Sequence, residues 1–205
     1  MKLFGIPIKV HWTAIFLLLL LMPTLTVAGL VHGLIIFVPV IIFLIGHELA
    51  HALMARKYGY HTRDISLHAL GGLAHIEVLD QLTPKEDFWI SLAGPLFNIF
   101  WVLVFAVLIW FAPLIGLAAL IAPLKILFVV NVLLGVFNLI PGYPLDGGRI
   151  SQALCVMKWG KKRGKEIAQS ISFAAGSLMI LTGLATGNLL FAGFGIFICF
   201  IAGKY

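Results

Sequence analysis

Long runs of apolar residues follow one another along this chain, separated by short polar or glycine-rich connections. A run of about 20 apolar residues is long enough to cross the hydrocarbon core of a bilayer as a helix. The pattern predicts an all-α polytopic membrane protein with six transmembrane helices, in a single domain that covers residues 1–205. The predicted spans lie at about 12–28, 34–55, 88–112, 117–157, 167–185 and 189–202.

Glycines and prolines define the predicted boundaries. A short turn near Gly29–Gly33 separates the first two spans, and Thr186-Gly187-Asn188 divides the last apolar stretch into two. The fourth span is interrupted at 138–148, where two prolines and three glycines are expected to break the helix. Broken backbone at membrane depth is tolerated only where it is buried in protein or lines an aqueous cavity.

The composition supports a membrane protein. Hydrophobic residues make up 61% of the chain and charged residues 11%, against about 25% charged residues in soluble domains. So few charges cannot cover a water-exposed surface, which excludes a soluble globular protein. The net charge of +6 does not indicate nucleic-acid binding, because the basic residues are scattered between apolar runs. Every Lys and Arg except Lys125 falls on one side of the predicted topology, and the positive-inside rule makes that side, with both termini, cytoplasmic.

The polar stretch at 56–87 contains a predicted β-hairpin. Residues 65–70 and 73–78 are short, partly alternating runs on either side of Gly71-Gly72. Such a pattern is typical of two strands joined by a tight glycine turn. An ordinary surface loop is consistent with the same periodicity, and the residues alone do not decide between the two.

The second span ends with the motif His47-Glu48-Leu49-Ala50-His51. Residues four apart lie on the same face of a helix, so two imidazoles can bind one metal ion, and Glu48 can reach a water molecule as a general base. Ionisable groups inside an apolar helix cost several kcal/mol unless they are paired or bind an ion, which favours a functional site. A cluster of interfacial histidines is the alternative.

A catalytic zinc ion takes three protein ligands, so a third must come from elsewhere in the chain. Asp146 lies in the interrupted fourth span, on the predicted cytoplasmic side with His47 and His51, and is the favoured third ligand. Asn138 lies about two turns earlier, and its amide could bind a substrate backbone or a developing oxyanion; a role in helix packing is the alternative. Further candidates for the third ligand are His11, His32, His61, His68, His75, Glu77, Asp80, Glu86 and Asp87.

These motifs resemble the site-2 protease family of intramembrane zinc metalloproteases. The resemblance rests on HELAH in an apolar helix, NLIPGYPLDGGR around Asp146, the opening GIPIKVH and the AGPL stretch at 93–96. It implies one Zn²⁺ per chain held by His47, His51 and Asp146, with Glu48 as the general base. It also implies Asn138 as a substrate contact and the segment around Gly71 and Gly72 as a membrane re-entrant hairpin that binds substrate.

The resemblance further implies hydrolysis of peptide bonds within single-span transmembrane substrates, in the lipid bilayer, with the active site toward the cytoplasm. Many members of the family carry PDZ or CBS domains, and we expect neither here, since the chain ends just after the sixth span. Two other functions remain open: a metal-ion transporter that uses the same ligands, and a catalytically silent relative that binds membrane helices. The substrate, its cleavage site, a regulatory partner and the oligomeric state do not follow from the sequence.

Overall fold

The computed structural model describes residues 2–13, 26–68, 71–77 and 82–204. Most of these residues are helical. In chain order the helices are α1 Val27–Lys57, α2 Pro84–Phe111, α3 Ile121–Asn138, α4 Asp146–Trp159, α5 Lys161–Ala185 and α6 Leu189–Ala202. Two short 3-10 helices, Ala112–Ile115 and Ala118–Leu120, connect α2 to α3. The strands are β1 Lys2–Leu3, β2 Ile6–Val10, β3 His61–His68 and β4 Gly71–Glu77.

Four helical segments of the described chain are long and apolar enough to cross a membrane: Val27–Lys57, Pro84–Ile115, Ala118–Asn138 and Lys161–Ala185. Their exposed faces carry large apolar side chains, such as Leu103 at 61% and Leu178 at 66% exposure. Such faces are unfavourable in water and compatible with lipid, so the chain is a multi-pass membrane protein. The count of six spans stays a prediction, because most of the first predicted span lies at 14–25, outside the described residues, and α6 has only 14 residues.

The predicted turn near Gly29–Gly33 is wrong. α1 begins at Val27, and the Oγ1 atom of Thr26 caps it by accepting a hydrogen bond from the Gly29 N–H. A threonine at this position satisfies one of the N–H groups that open a helix. The helix then continues through both glycines and Pro39 to Lys57. The start of α1 is therefore set by the capping residue Thr26 and not by Gly29 or Gly33.

The four strands form one small sheet in the order β1-β2-β3-β4. β1 and β2 are antiparallel, β2 and β3 are parallel with Ile8 opposite Ile65, and β3 and β4 are antiparallel. The β2–β3 pair also has an ion pair, in which the Lys9 Nζ atom lies 2.6 Å from the Asp64 carboxylate. Ile6 and Ile65 are fully buried and pack with Leu44 and Ala52 of α1. The sheet therefore rests on the same helix that carries HELAH.

The hairpin is present, but its glycines are not in the turn. β3 and β4 pair antiparallel from His61 opposite Glu77 to His68 opposite Gly71. Gly71 and Gly72 are therefore the first two residues of β4, and Gly72 pairs with Leu67. The register places residues 69 and 70 between the strands, and these lie outside the described residues. The predicted runs at 65–70 and 73–78 overlap the two strands, but the turn predicted at the glycine pair is wrong, because both glycines belong to β4.

The chain divides into two compact units, each with its own apolar core. The first unit comprises Met1–Asp80 and Ala93–Gly135, and the second comprises Gln81–Leu92 and Val136–Tyr205. In the first unit, Phe43, Phe105 and Val130 form a buried cluster, with Trp101 stacked on Phe105. The core of the second unit is formed by Leu145, Met179 and Ile198.

The predicted interruption of the fourth span is shorter than expected. α3 ends at Asn138 and α4 begins at Asp146, so the non-helical segment is 139–145. α4 is a 14-residue helix that includes Arg149 and Lys158 and is not among the candidate membrane spans. The prolines at 141 and 144 explain why helical hydrogen bonding stops here.

The turn predicted at 186–188 is present between α5 and α6. Gly187 has a φ of 69°, a left-handed conformation that glycine adopts without strain. The Asn188 side chain caps α6 by accepting a hydrogen bond from the Phe191 N–H. The two helices pack closely, because a Cβ atom at Gly176 would come within 3.0 Å of the Gly195 carbonyl oxygen. Small residues at such crossings let helix backbones approach in membranes.

Candidate metal centre

The C-terminal half of α1 carries the two histidines and the glutamate of HELAH in buried positions. His47 is 2% exposed, His51 is 5% exposed and Glu48 is 9% exposed. The Nε2 atoms of the two imidazoles face each other at 3.1 Å. Two nitrogen ligands of a tetrahedral zinc ion are about 3.3 Å apart, since each zinc–nitrogen bond is about 2.0–2.1 Å. The pair is therefore spaced as two ligands of one ion.

A buried chain of hydrogen bonds fixes the ring of His47. The His47 Nδ1 atom lies 2.5 Å from the Asn98 Oδ1 atom, Asn98 Nδ2 donates to Asn131 Oδ1 at 3.0 Å, and Asn131 Nδ2 donates to the Leu127 carbonyl at 2.9 Å. Both asparagines are 0% exposed. The Leu127 carbonyl can only accept, so Asn131 must donate to it through its NH₂ group. The oxygen of Asn131 then accepts from the NH₂ group of Asn98, which leaves the Asn98 oxygen facing His47. His47 consequently donates through Nδ1, and its Nε2 lone pair is available to a metal ion.

Gly94 of α2 leaves the space next to the two imidazoles open. A Cβ atom built at Gly94 would come within 3.0 Å of the Nε2 atoms of both His47 and His51. Real Cβ atoms essentially never make such contacts, so any other residue here would occupy the space beside the two Nε2 atoms. The absence of a side chain at this position fits the presence of a metal ion.

Asp146 is the first residue of α4, directly after the non-helical segment. The two glycines that follow it let this segment fold tightly against the start of the helix. A Cβ atom at Gly147 would come within 3.0 Å of the carbonyl oxygens of Leu139 and Ile140, and one at Gly148 would do the same to the Tyr143 nitrogen. The close packing around the glycines of PLDGG therefore fixes the backbone position of Asp146.

His47, His51 and Asp146 form a cluster that could bind a metal ion. Each offers one ligand atom, and these atoms lie within 4.8 Å of one another. The donor set of two imidazole nitrogens and one carboxylate oxygen is one that zinc accepts in catalytic sites. Among the described residues no other group of three His, Cys, Asp or Glu meets this criterion.

The other candidates for a third ligand have different environments. The Asp87 carboxylate forms an ion pair with Arg149 at 2.6 Å, and Glu86 caps α2 by accepting from the Thr83 N–H at 2.8 Å. His11 and His61 are exposed. The side chains that lie outside the described residues are those of His32, His68, His75, Glu77 and Asp80.

Two predicted substrate contacts occupy distinct places. Asn138 is the last residue of α3, where the helix gives way to the non-helical segment. Gly71 and Gly72 open β4, and their pairing partners are His68 and Leu67 of β3.

Sequence reasoning missed Asn98 and Asn131, and it gave Gly94 no role of its own beyond its place in the AGPL stretch. All three lie in apolar helices, and the asparagines are rare polar residues within α2 and α3. A buried amide in a membrane helix marks a hydrogen-bond network or a functional site, so the signal was present. What the sequence does not contain is the partner of each amide, because His47 and Asn98 are 51 residues apart.

Comparison with known proteins agrees with the motifs. The family model for peptidase family M50 matches residues 34–118 and 114–182. A zinc metalloprotease of Methanocaldococcus jannaschii is 31% identical over 200 residues, covering 97% of this chain and 57% of that protein. Rip3 of Mycobacterium tuberculosis is 31% identical over 211 residues, covering 95% of this chain and 52% of Rip3. The chain thus spans about half the length of the curated relatives it matches.

A solved structure has the same fold. The site-2 protease from Methanocaldococcus jannaschii superposes with a TM-score of 0.69 at 28% sequence identity, covering 100% of this chain and 92% of that one. The match of the family model over most of the chain, together with this structural similarity, identifies the family. The chain belongs to peptidase family M50, the family of the site-2 proteases.

Proposed function

We propose that this protein is a zinc-dependent intramembrane endopeptidase that hydrolyses peptide bonds within transmembrane segments of single-span substrates. The observation that carries the proposal is the buried HELAH pair, whose Nε2 atoms lie 3.1 Å apart, together with an aspartate in the same cluster. Relatives of the chain are named zinc metalloproteases, which supports zinc as the metal. The whole chain acts as one membrane-embedded catalytic domain.

His47, His51 and Asp146 would hold one zinc ion, and Gly94 would leave room for it. A bound zinc ion supplies Lewis-acid chemistry, lowering the pKa of a water molecule and polarising a carbonyl group. The Asn98–Asn131 hydrogen bonds hold the His47 ring in the tautomer that binds metal. Glu48 is adjacent to His47 on the helix and would act as the general base beside the three ligands.

Hydrolysis needs a base and a donor to the oxyanion. Glu48 takes a proton from the attacking water as the new C–O bond forms, and then gives it to the amine as the C–N bond breaks. The amide of Asn138 donates a hydrogen bond to the oxygen that becomes negative, or to the backbone of the substrate. The products are a carboxylic acid and an amine, so one water molecule is consumed per bond cut.

The substrate is a transmembrane helix, which must unwind before its peptide bonds can be cut. An unwound segment in lipid needs hydrogen-bond partners for its backbone. β4 lies at the edge of the four-stranded sheet, and its outer backbone groups, starting at Gly71 and Gly72, would bind the unwound segment by strand addition. In this proposal the hairpin enters the membrane from the cytoplasmic side, where the positive-inside rule also puts both termini and the active site.

A metal-ion transporter with the same ligands is not favoured by the family. Glu48 separates the two functions experimentally. Glu48→Gln should abolish peptide cleavage by a protease, whereas a transporter carrying that substitution would change metal affinity or flux and never cut a peptide. A silent relative is likewise not favoured, since the chain retains the complete set of His47, Glu48, His51 and Asp146.

The proposal is tested with purified protein in detergent or vesicles and a library of single-span substrates. Cleavage should require zinc, stop on addition of a chelator and return when zinc is restored. His51→Ala should show no cleavage, while His61→Ala, which removes an exposed histidine of β3, should cut as the wild type does. A folded, zinc-loaded protein that cuts no member of a broad library would refute the proposal.

A further inference from the structure

We infer that the junction of α4 and α5 binds an anionic phospholipid, whose phosphate is held by Lys158, Lys161 and Arg163 and whose acyl chain lies in a groove along α5. The inference rests on the second unit alone. It requires only that the chain lies in a membrane, and it does not depend on the proposed protease activity.

The junction carries a dense cluster of positive charge. Five exposed basic residues occupy positions 158–165, and the nearest acidic residue in sequence is Glu166. α5 is a candidate membrane span that begins at Lys161, so the cluster lies where the apolar helix meets the headgroup layer. Clusters of four to eight Lys and Arg beside a transmembrane helix attract anionic lipids, at about 1 kcal/mol per charge.

A groove leads from this cluster along α5. A cavity of about 550 Å³ is lined by Leu154, Cys155, Lys158 and Ile171, among others. A second cavity of about 560 Å³ is also lined by Ile171 and extends along α5 to Thr182, with Pro141 and Phe191 on its other side. From residue 171 to residue 182 the helix rises about 16 Å, close to half of the roughly 30 Å hydrocarbon core. The groove therefore has the length of one leaflet and an apolar lining suited to an acyl chain.

The basic residues are not equivalent with respect to this groove. Successive residues of a helix are about 100° apart, which puts Lys161 and Arg163 about 80° on either side of Ile171. By the same rule Lys162 lies about 180° and Lys165 about 120° from Ile171. Lys158 lines the groove itself, and its Nζ atom lies 4.6 Å from the ring centre of Trp159. Tryptophan is enriched at the membrane interface. Lys158 therefore lines the groove, Lys161 and Arg163 flank the face of α5 that carries Ile171, and Lys162 serves as an internal control.

If these charges only set the membrane topology, their positions around the helix would not matter. The test therefore compares two double variants that remove the same number of charges from different faces of α5. Lys161→Gln/Arg163→Gln and Lys162→Gln/Lys165→Gln each remove two charges from the same cluster. The full-length protein is reconstituted in vesicles of equal phosphatidylglycerol and phosphatidylcholine, and the retained lipids are counted by native mass spectrometry. The first variant should lose preference for phosphatidylglycerol about tenfold, and the second should stay within about twofold of the wild type.

A groove variant tests the acyl chain. Leu154 is 47% exposed, so Leu154→Trp should fold, fill the groove and reduce the retained phosphatidylglycerol with all charges in place. Equal losses in the two charge variants would overturn the inference in favour of diffuse attraction. Displacement of the lipid by millimolar inorganic phosphate would also overturn it, since the site would then bind free anions. Loss of lipid to an added single-span peptide, without any preference for anionic lipid, would show a helix-binding groove instead.

Discussion

In the hydrogen-bonded chain from His47 through Asn98 and Asn131, each donor and acceptor role follows from one backbone carbonyl, that of Leu127. Asn131 donates to the Leu127 oxygen, which leaves only its own oxygen to receive Asn98. Turning either amide over would bring two oxygens or two NH₂ groups together in a buried site, at a cost of about 1–3 kcal/mol. The ring of His47 therefore has one favoured tautomer before any metal arrives.

Asn98→Leu should weaken zinc binding about 10- to 100-fold, the usual effect of removing a hydrogen bond to a ligating histidine. Leucine has the same branching at Cγ as asparagine but no hydrogen-bonding group, so it leaves the His47 Nδ1 atom without its acceptor. The measurement is zinc competition against a chromophoric chelator, with the ¹⁵N shifts of His47 reporting its tautomer. Asn131→Leu, which acts one bond further away, should lose less. Wild-type affinity and an unchanged tautomer in Asn98→Leu would mean that the hydrogen bond does not position the ring.

Gly94→Ala should abolish metal binding while leaving the protein folded. Alanine favours a helix by up to about 1 kcal/mol over glycine, and its methyl group would occupy the space beside the two Nε2 atoms. Gly193→Ala in α6 is a matched control, because a Cβ atom there meets nothing within 4 Å. Bound zinc is measured by mass spectrometry and helicity by circular dichroism. A Gly94→Ala protein that retains zinc would place the metal elsewhere.

Among the elements, the start of α4 is held by both backbone packing and charge. Gly147 and Gly148 let the segment 139–145 fold against the helix, and Arg149 of the first turn pairs with Asp87 of the first turn of α2. Arg149 is three residues after Asp146, so the two side chains lie on the same face of α4. An ion pair between these two first turns limits rotation of α4, and with it the direction of the Asp146 side chain.

A double-mutant cycle measures this ion pair. Asp87→Asn, Arg149→Gln and the double variant should give a coupling energy of about 1 kcal/mol in the free energy of unfolding, since both side chains are partly exposed. Unfolding is followed by circular dichroism in mixed micelles. Lys162→Gln removes an exposed charge of α5 and should change stability by less than about 0.5 kcal/mol. Additive effects of the two single variants would show that the pair does not contribute.

For the whole molecule, the spacing of apolar residues and of prolines and glycines predicted most of the described helices and the three residues of the cluster that could bind a metal ion. The long-range partners of the buried amides could not be predicted in this way. The helical period alone predicted that the two histidines of HELAH lie on one face. The effect of proline and glycine on the backbone alone predicted a break in the helix around PLDGG. Gly29–Gly33 and Gly71–Gly72 were misread because glycine in an apolar segment is compatible with helix, strand and turn, and neighbours such as Thr26 decide the outcome. Asn98 and Asn131 matter because they connect to His47 by hydrogen bonds, and these contacts depend on the packing of three helices.

Zinc binding should stabilise the whole protein, and Glu48→Gln should separate that effect from catalysis. An ion that binds only the folded state adds about 2.7 kcal/mol at a concentration of 100 times its Kd. Thermal unfolding with and without zinc should show this increase in the wild type and in Glu48→Gln, whose ligands are intact, and not in His51→Ala or Asp146→Asn. Cleavage should fall about 10²- to 10⁴-fold in Glu48→Gln, because its general base is gone. If Glu48→Gln instead loses the zinc-dependent increase, its carboxylate is a metal ligand, and another group must carry the proton.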